Sequence, residues 1–482
     1  MASETQPLLP TTSHTHPVHV PHLGVAAVMA LIINKIIGTG IFSIPSLIYE
    51  KSGSVGISLL LWLLGGVITF SGLSVYLEFG LELPHNGGEK NYLQRVWRKP
   101  KRLIETIYAM PSFLLGISSA NSYAFGKYVL FALGWKEVND WHARWIACGV
   151  ITMAVYLHIC HTQLSTKIFT MLGAIKVLIL SMIILIGALV QLNLWSLDYD
   201  KPDNFHNIWE SYEDFQPNVY SYAVALLQVI YAFKGWENAN YVLSEIKDPQ
   251  KTLKFAAPLS VFITTVFYFL VNLSYFIVIP KTEYKDSGVL IAGIFFTKIF
   301  GESNSSKLLP ILIALSNLGN IMAVSFSAPR ITQELARENL IPLSSKFKDL
   351  RWSMFSHWLL TVLVLILPPN GDIYQFIINV SSYPTTLVNI FVTLGLFYLH
   401  WNADVEHWGK SEGHKWYSYW FISLIFLGAN LFLAIFPLVP PPSTLELDGG
   451  YAYWAFPVTG LGIFGLGALF WAYQKYFLKS FK

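Results

Sequence analysis

"NKIIGTGIFSIP" (residues 34–45) lies in the middle of the first long apolar stretch of the chain. Glycine destabilises a helix interior by about 1 kcal/mol relative to alanine, and a helix that opens inside lipid leaves its own amides and carbonyls without partners. Gly38 and Gly40, with Thr39 between them, therefore predict a break in a helix that otherwise has the pattern of a membrane span. Such unwound backbone is tolerated where it lines a cavity.

The composition of the whole chain indicates a polytopic membrane protein. Of its 482 residues 54% are hydrophobic and 13% are charged, whereas soluble domains have roughly 25% charged residues. The 16 Trp and 25 Tyr residues suit aromatic belts at the two membrane interfaces. A net charge of +3 does not favour nucleic acid as a partner. Residues 1–23 contain no Lys or Arg and no apolar core, so we expect a disordered cytosolic tail there rather than a signal peptide.

Apolar runs of about 20 residues, the length that crosses a bilayer, predict an all-α protein with twelve transmembrane helices. We place these helices near residues 24–50, 56–82, 104–133, 143–162, 166–193, 218–246, 255–279, 307–329, 355–368, 373–400, 416–437 and 452–474. Twelve crossings put both termini on the same side of the membrane. The first loop on that side is crowded with basic residues, namely Lys90, Arg95, Arg98, Lys99, Lys101 and Arg102. The positive-inside rule therefore predicts that both termini are cytosolic, with a transporter domain over 24–474 and a short tail over 475–482.

A second interruption lies in the sixth predicted span, in "YAFKGWENANY" (231–241), where Lys234, Gly235 and Glu237 break an apolar run. The two breaks stand at corresponding positions, each in the first span of a five-helix half. Interrupted helices at such positions are the best sequence indication of the binding site of a secondary transporter. Two matched breaks therefore favour a transporter over a bundle in which the glycines serve only close helix packing, although packing stays an alternative for each break alone.

The chemistry of a broken helix favours a zwitterionic substrate. A half-helix beginning near Ile41 would offer free amides and a positive dipole end to a carboxylate. Half-helices ending near Ile37 and Phe233 would offer unpaired carbonyls to an ammonium, and an α-amino acid carries both groups. The predicted substrate site is therefore the main chain of Ile36, Ile37, Gly38, Thr39, Gly40, Ile41, Tyr231, Ala232 and Phe233, with Lys234, Glu237, Asn121 and Ser316 as side-chain candidates. Asn121 and Ser316 could equally hold helices together.

Several motifs resemble the amino acid–polyamine–organocation superfamily. "IIGTGIF" (36–42) is similar to its first-helix signature, and "YAFKGWENANYVLSEIKDPQKTL" (231–253) and "SNLGNIMAVSFSAPRITQELARENLIP" (316–342) resemble helices six and eight of its L-type amino acid transporter branch. "ELPHNGGEKNYLQRVWRKPK" (82–101) and "LPPNGDIYQFIINVSSYP" (367–384) resemble the fungal high-affinity methionine permeases. The resemblance implies a 5+5 inverted repeat (24–193 and 218–400) with broken helices one and six, two extra helices (416–474), and alternating access.

The sequence departs from the pattern of the family at two places. At the sixth-helix break a glycine or small apolar residue is usual, whereas this chain has Lys234 followed by Glu237, which could line the pocket, pair with each other or tune selectivity. Human-type carriers of the branch have a cysteine in the outer loop after span three, for a disulfide to a heavy chain. Loop 134–142 has none, so we expect no disulfide-linked heavy chain.

Charged residues inside spans are candidates for function because they are costly to bury. Lys176 lies in the middle of span five, and the resemblance implies that it replaces a structural sodium ion between helices one and eight, reaching carbonyls near Gly38 and hydroxyls such as that of Ser325. A lysine whose ammonium snorkels to the interface is the alternative. Lys35 could snorkel or pair across the inner vestibule. We expect Glu78 and Glu82 to cap or pair with the basic first loop.

The leading hypothesis is a plasma-membrane secondary transporter of neutral L-amino acids, with methionine or a related sulfur-containing or apolar amino acid first. A broader or cationic amino acid or polyamine carrier is the first alternative, because of Glu237. A non-transporting sensor on the same fold is the second, but such sensors have long cytosolic extensions and the predicted tails here are short. No nucleophile–base arrangement, metal-spaced cluster in a span or phosphate loop indicates an enzyme, so we expect no cofactor and no metal. A proton is left open as the coupling ion.

Overall fold

The computed structural model describes residues 24–83, 88–135, 140–241, 246–301, 304–367, 373–409, 420–442, 447–448 and 451–478. Within these residues the protein is almost wholly helical, so the predicted all-α class is confirmed. The expected N-terminal tail and residues 479–482 lie outside the described residues. The last helix runs to Tyr476, two residues into the stretch predicted as the C-terminal tail.

The helices of the first half follow the predicted spans, with breaks inside spans one and three. They are α1 (Val25–Ile36), α2 (Thr39–Ser43), α3 (Pro45–Ser52), α4 (Val55–Glu82), α5 (Glu89–Val96), α6 (Leu103–Leu114), α7 (Ser119–Ala132), α8 (Asp140–Cys160) and α9 (Thr162–Gln191). α5 is a short helix in the basic loop between the second and third spans. The prediction treated span three as one helix, and the structure divides it.

The second half begins with a helix that also stops in mid-span. Its elements are α10 (Val219–Phe233), a 3-10 helix (Trp236–Tyr241), α11 (Pro249–Val278), α12 (Lys281–Asp286), a 3-10 turn (Gly288–Leu290), α13 (Ile291–Phe300), α14 (Asn304–Arg337), α15 (Ser344–Phe347), α16 (Leu350–Ile366), α17 (Ile373–Trp401) and α18 (Ala403–Glu406). The chain ends with α19 (Trp420–Ile435), a 3-10 turn (Phe436–Leu438), the antiparallel strands β1 (Leu447–Asp448) and β2 (Tyr451–Ala452), and α20 (Ala455–Tyr476).

Ten segments of the described residues are long and apolar enough to cross a membrane. Shorter apolar helices, α10 and α16, stand where the sixth and ninth spans are predicted, and Gly288–Phe300 is a third short apolar segment. A polytopic membrane protein is therefore confirmed, and the count of twelve spans stays a prediction. α16 begins five residues before the predicted ninth span and ends two residues before that span's predicted end.

Adjacent glycines on α4 bring three helices together behind the broken segments. A Cβ on Gly65 would lie 2.2 Å from Val229 Cγ1 of α10, and a Cβ on Gly66 would lie 2.3 Å from Thr265 Cγ2 of α11. Any side chain at these two positions would push α4 away from its neighbours. The close approach lets Trp62 of α4 pack edge-on against Tyr268 of α11, with ring centroids 5.5 Å apart.

The two ends of the helix bundle are closed by different kinds of contact. At the end formed by α5, α18 and the last turn of α20, here called the terminal face, Arg95 Nη1 donates to Glu406 Oε2 at 2.7 Å. At the opposite face, loop 192–218 lies across the end of α3. The hydroxyl of Tyr212 donates to the Glu50 carbonyl at 2.8 Å, and the Gly56 amide donates to the Ile208 carbonyl at 2.7 Å. Loop 192–218 is therefore attached to α3 and to the start of α4 at the opposite face.

Candidate functional site

The first break occupies two residues between α1 and α2. Ile37 (φ −69°, ψ 98°) and Gly38 (φ −131°, ψ −151°) are extended, and the helix resumes at Thr39. The first half-helix ends where the sequence predicted. The second begins two residues earlier than the predicted Ile41, because the extended Gly38 is already its N-cap.

The second break lies at Lys234 and Gly235. α10 ends at Phe233, Lys234 leaves the helical conformation with ψ 132°, and Gly235 has φ +126°, a conformation that side-chain-bearing residues rarely adopt. The carboxylate of Glu237 stabilises this turn by accepting a hydrogen bond from the Gly235 amide at 2.9 Å. Glu237 forms no ion pair with Lys234 in the described part of the chain. The ammonium of Lys234 points instead to the Ser381 carbonyl, 3.4 Å away.

The two breaks are in direct contact with each other. A Cβ on Gly235 would lie 3.0 Å from the carbonyl carbon of Lys35 and 3.1 Å from the Ile36 amide nitrogen. A Cβ on Gly40 would lie 2.7 Å from the Cα of Ala232. The glycines therefore allow close helix packing and also lie at the unwound segments. These two roles were alternatives from the sequence alone, and the structure combines them.

Tyr268 of α11 joins the two half-helix ends, a role that sequence reasoning missed. Its buried hydroxyl lies 2.9 Å from the carbonyl oxygen of Ile36 and 3.0 Å from that of Ala232. These carbonyls are among the last of α1 and α10, which have no partners within their own helices. A tyrosine in the run "VFYFLVN" (266–272) gives no local signal of this, because both acceptors belong to other spans.

Several main-chain groups at the breaks take part in none of the described hydrogen bonds. They are the amides of Thr39, Gly40 and Ile41 and the carbonyls of Ile37 and Phe233. The amides are donors at the beginning of a helix and the carbonyls are acceptors at the ends of two others. The contact between the breaks places both kinds of group in one small region.

Polar and aromatic side chains form the wall beside α2. Thr39 lies near the hydroxyls of Tyr231 and Tyr374. The hydroxyls of Tyr374, Ser43 and Ser122 are buried and have no hydrogen-bond partner among the described residues. Such groups are rare in folded proteins and call for a partner such as water or a ligand. The wall can therefore receive further hydrogen bonds.

Asn121 and Ser316 occupy different surroundings. Asn121 is half-buried near the start of α7 and takes part in none of the described hydrogen bonds. Ser316 is fully buried on α14, and its hydroxyl has no partner among the described residues. It lies one turn before Asn320, whose amide nitrogen would be 2.1 Å from a Cβ on Gly38. Ser316 and Asn320 therefore share the face of α14 that meets the first break.

Lys176 is connected to the first break, but through different atoms from those expected. Its ammonium donates to the Asn34 carbonyl at 3.2 Å and to Asn320 Oδ1 at 2.5 Å. The expected contact with Ser325 is wrong, since that hydroxyl lies 3.2 Å from His357 Nε2. Ser325 is five residues beyond Asn320 on α14, and because a helix advances 1.5 Å per residue, it lies further along the helix axis from Lys176 than Asn320 does. Asn320 therefore accepts the hydrogen bond from Lys176 that was expected for Ser325.

A third break divides the third span between α6 and α7. The chain is non-helical at Gly116–Ser118, and α16 holds this segment. His357 Nδ1 donates to the Gly116 carbonyl at 2.8 Å, and the Ser118 amide donates to Thr361 Oγ1 at 3.3 Å. Because Nδ1 carries the proton in a neutral ring, Nε2 has one lone pair, which accepts from one of two hydroxyls that both lie 3.2 Å away, those of Ser118 and Ser325.

The charged residues nearest the terminal face differ in part from expectation. Glu78 accepts hydrogen bonds from His400 and, at 2.9 Å, from Trp408 Nε1. The expectation that Glu78 pairs with the basic first loop is therefore wrong. The loop's basic residues bind elsewhere, as Arg95 does at Glu406.

Lys35 is half-buried one residue before the end of α1 and lies within electrostatic range of Glu237.

Comparison with known proteins gives consistent matches along the chain. The model of the family described as "Amino acid permease" matches residues 23–466. The high-affinity methionine permease of Saccharomyces cerevisiae is 35% identical over 456 residues, which cover 93% of this chain and 78% of that protein. The low-affinity methionine permease of the same yeast is 30% identical over 78% of this chain and 70% of its own length. The Asc-type amino acid transporter 1 of Mus musculus is 28% identical over 92% of this chain and 81% of its own.

Proposed function

Because this chain belongs to the amino acid permease family, as its motifs predicted, we propose that it carries neutral L-amino acids, methionine first, across the plasma membrane by alternating access. Membership of a permease family confirms the expectation of transport rather than catalysis. The preference for methionine or a related sulfur-containing or apolar amino acid is supported by the two methionine permeases among the relatives. The resemblance of residues 82–101 and 367–384 to fungal methionine permeases implied the same preference.

The observation that carries the proposal is the contact between the two breaks. The free amides of Thr39, Gly40 and Ile41 suit an α-carboxylate, and the carbonyls of Ile37 and Phe233 suit an α-ammonium. Tyr268 positions the half-helix ends that provide the carbonyls. The substrate side chain would then lie against Tyr231 and its neighbours, where an apolar or thioether group packs well on aromatic rings.

The terminal face is assigned to the cytosol in this proposal, because α5 and its flanking loop carry the basic cluster of the first inner loop. In this proposal the opposite face, where loop 192–218 is attached to α3 and α4, faces the outside. Alternating access requires the substrate site to open in turn to this face and to the terminal face. In this proposal membrane lipid surrounds the bundle, and we expect no disulfide-linked heavy chain, since loop 134–142 contains no cysteine.

The test is uptake of a panel of radiolabelled L-amino acids by cells that lack their own permeases, at two external pH values. We expect uptake of methionine and other neutral amino acids above that of cells without the chain. Analogues that lack the α-amino or the α-carboxyl group should compete at least tenfold more weakly, since each leaves main-chain groups unpaired. A decarboxylated analogue that competes as well as methionine would contradict the proposed site. Faster uptake at acid pH would indicate proton symport, and stimulation by internal amino acid would indicate exchange.

A further inference from the structure

Lys234 places an ammonium group at the second break, in space that water reaches. Its side chain is exposed, although the neighbouring residues Phe233 and Gly235 are both buried. The nitrogen lies 3.4 Å from the carbonyl oxygen of Ser381, which is half-buried on α17. The ammonium therefore stands in the gap between α10 and α17, beside the main-chain groups of the proposed substrate site.

The carboxylates near this ammonium are engaged in other contacts. Glu237 caps the Gly235 amide at 2.9 Å. Glu89, which lies within electrostatic range of Lys234, accepts hydrogen bonds from the hydroxyls of Tyr76 and Tyr108 at 3.3 and 3.2 Å. No ion pair within 4 Å involves Lys234 in the described residues.

A second lysine, Lys35, lies within electrostatic range of Lys234 at the break. The backbone of Lys35 contacts Gly235, so the side chain of Lys35 starts next to the same turn. A substrate with a cationic side chain would therefore meet the exposed ammonium of Lys234, while the Glu237 carboxylate remains hydrogen-bonded to the Gly235 amide. A lysine ammonium can also swing on its four-carbon stem toward an electron-rich group.

We propose that Lys234 is a specificity-determining residue that excludes amino acids with cationic side chains from the substrate site. This inference rests on the proposed function and narrows it, because it rejects the cationic alternative that Glu237 suggested. Two like charges about 6 Å apart, at the effective dielectric constant of about 20 that suits protein sites, correspond to a loss of roughly 100-fold in affinity. Neutral and electron-rich side chains do not meet this repulsion.

L-Norleucine and L-lysine form a matched pair of probes, because lysine is norleucine with an ε-ammonium group added. Their inhibition constants are measured against uptake of labelled methionine by the full chain in cells without other permeases. The ratio of the lysine constant to the norleucine constant isolates the charge and does not depend on how much carrier reaches the membrane. We expect this ratio to be about 100 or more in the unmodified chain.

The variants are Lys234→Met, which removes the charge and keeps an unbranched side chain, Lys234→Gln, and Lys234→Arg, which keeps the charge. We expect the ratio to fall by roughly 100-fold in Lys234→Met and Lys234→Gln and to stay high in Lys234→Arg. Lys298→Met is the matched control, since Lys298 pairs with Glu283 at 2.7 Å outside the site. It should leave the ratio unchanged.

An unchanged ratio in both neutral variants would overturn the inference, as would a ratio near one in the unmodified chain. If norleucine still inhibits normally in those cases, the proposed function stands and only the role of Lys234 fails. If neither methionine uptake nor inhibition by norleucine is found in the unmodified chain, the proposed function fails and the inference falls with it.

Discussion

Replacing Lys176 and Asn320 singly and together would show whether the buried ammonium ties α9 to the first break. Lys176 is completely buried and donates to the Asn34 carbonyl and to Asn320 Oδ1. Asn320→Ala removes the side-chain acceptor and leaves the cation one described partner. Since a hydrogen bond to a charged group contributes about 1.5–3 kcal/mol, we expect Asn320→Ala to lower the free energy of unfolding by about 2 kcal/mol.

Lys176→Met should behave differently. It removes both hydrogen bonds but also removes a buried charge whose desolvation costs several kcal/mol, so the net change in stability should be within about 1–2 kcal/mol. In the Lys176→Met background, Asn320→Ala no longer leaves a cation without its acceptor. The double-mutant cycle should therefore give a coupling energy of about 2 kcal/mol between the two positions.

The assay is thermal unfolding of the four purified proteins in one detergent, with uptake measured in parallel. Asn317→Ala is the control on the same helix, because the Asn317 amide has no described partner. Lys176→Met should reduce uptake at least tenfold while its stability is nearly unchanged, and Lys176→Arg should restore little, since a planar guanidinium does not fit the position of an ammonium. Additive stability changes, or normal uptake by Lys176→Met, would refute the reasoning.

Three further results are expected. Replacing external sodium by choline should leave uptake unchanged, because the family resemblance implies that the Lys176 ammonium replaces a structural sodium ion; stimulation by sodium would contradict this. Tyr268→Phe keeps the ring but removes the hydroxyl between Ile36 and Ala232, so the half-saturation concentration for uptake should rise roughly tenfold or more, and unchanged kinetics would count against that role. The hydrogen bond from Arg95 holds the pKa of the Glu406 carboxyl below its usual range. The Arg95–Glu406 contact therefore stabilises the folded protein at pH values above the pKa that Glu406 has in the unfolded chain. This stabilisation is lost as the pH falls through the lower pKa of the folded protein. Glu406→Gln should therefore reduce thermal stability at neutral pH and have no effect below the folded-state pKa of Glu406. An equal effect at both pH values would contradict a stabilising role of the Glu406 carboxylate.

The two breaks at the site could be predicted from sequence because their signals are local. Glycine at 38 and 40, and a charged pair around Gly235, contradict the apolar helical pattern within a few residues. The position of the first break was right to within two residues. The local pattern also indicated which main-chain groups would be free, since helix ends leave predictable donors and acceptors.

The third break could not be predicted, because its cause lies far away in the chain. Gly116 and the serines after it are ordinary residues in membrane helices, and His357, which holds the segment, is 241 residues distant. The same applies to Tyr268, whose acceptor Ile36 is 232 residues away. Long-range partners of this kind also explain why the acceptor of Lys176 was assigned to Ser325 rather than to Asn320.

The hydroxyl of Tyr268 has one hydrogen atom for two carbonyl oxygens. At any moment the Ile36 or the Ala232 oxygen therefore receives no hydrogen bond from this hydroxyl. An amino acid brings three N–H donors in its ammonium group. A substrate ammonium that donates to the Ile37 and Phe233 carbonyls would still have a third N–H for the oxygen that the Tyr268 hydroxyl does not serve. The hydroxyl and the ammonium together would then supply one donor for each of these four carbonyls.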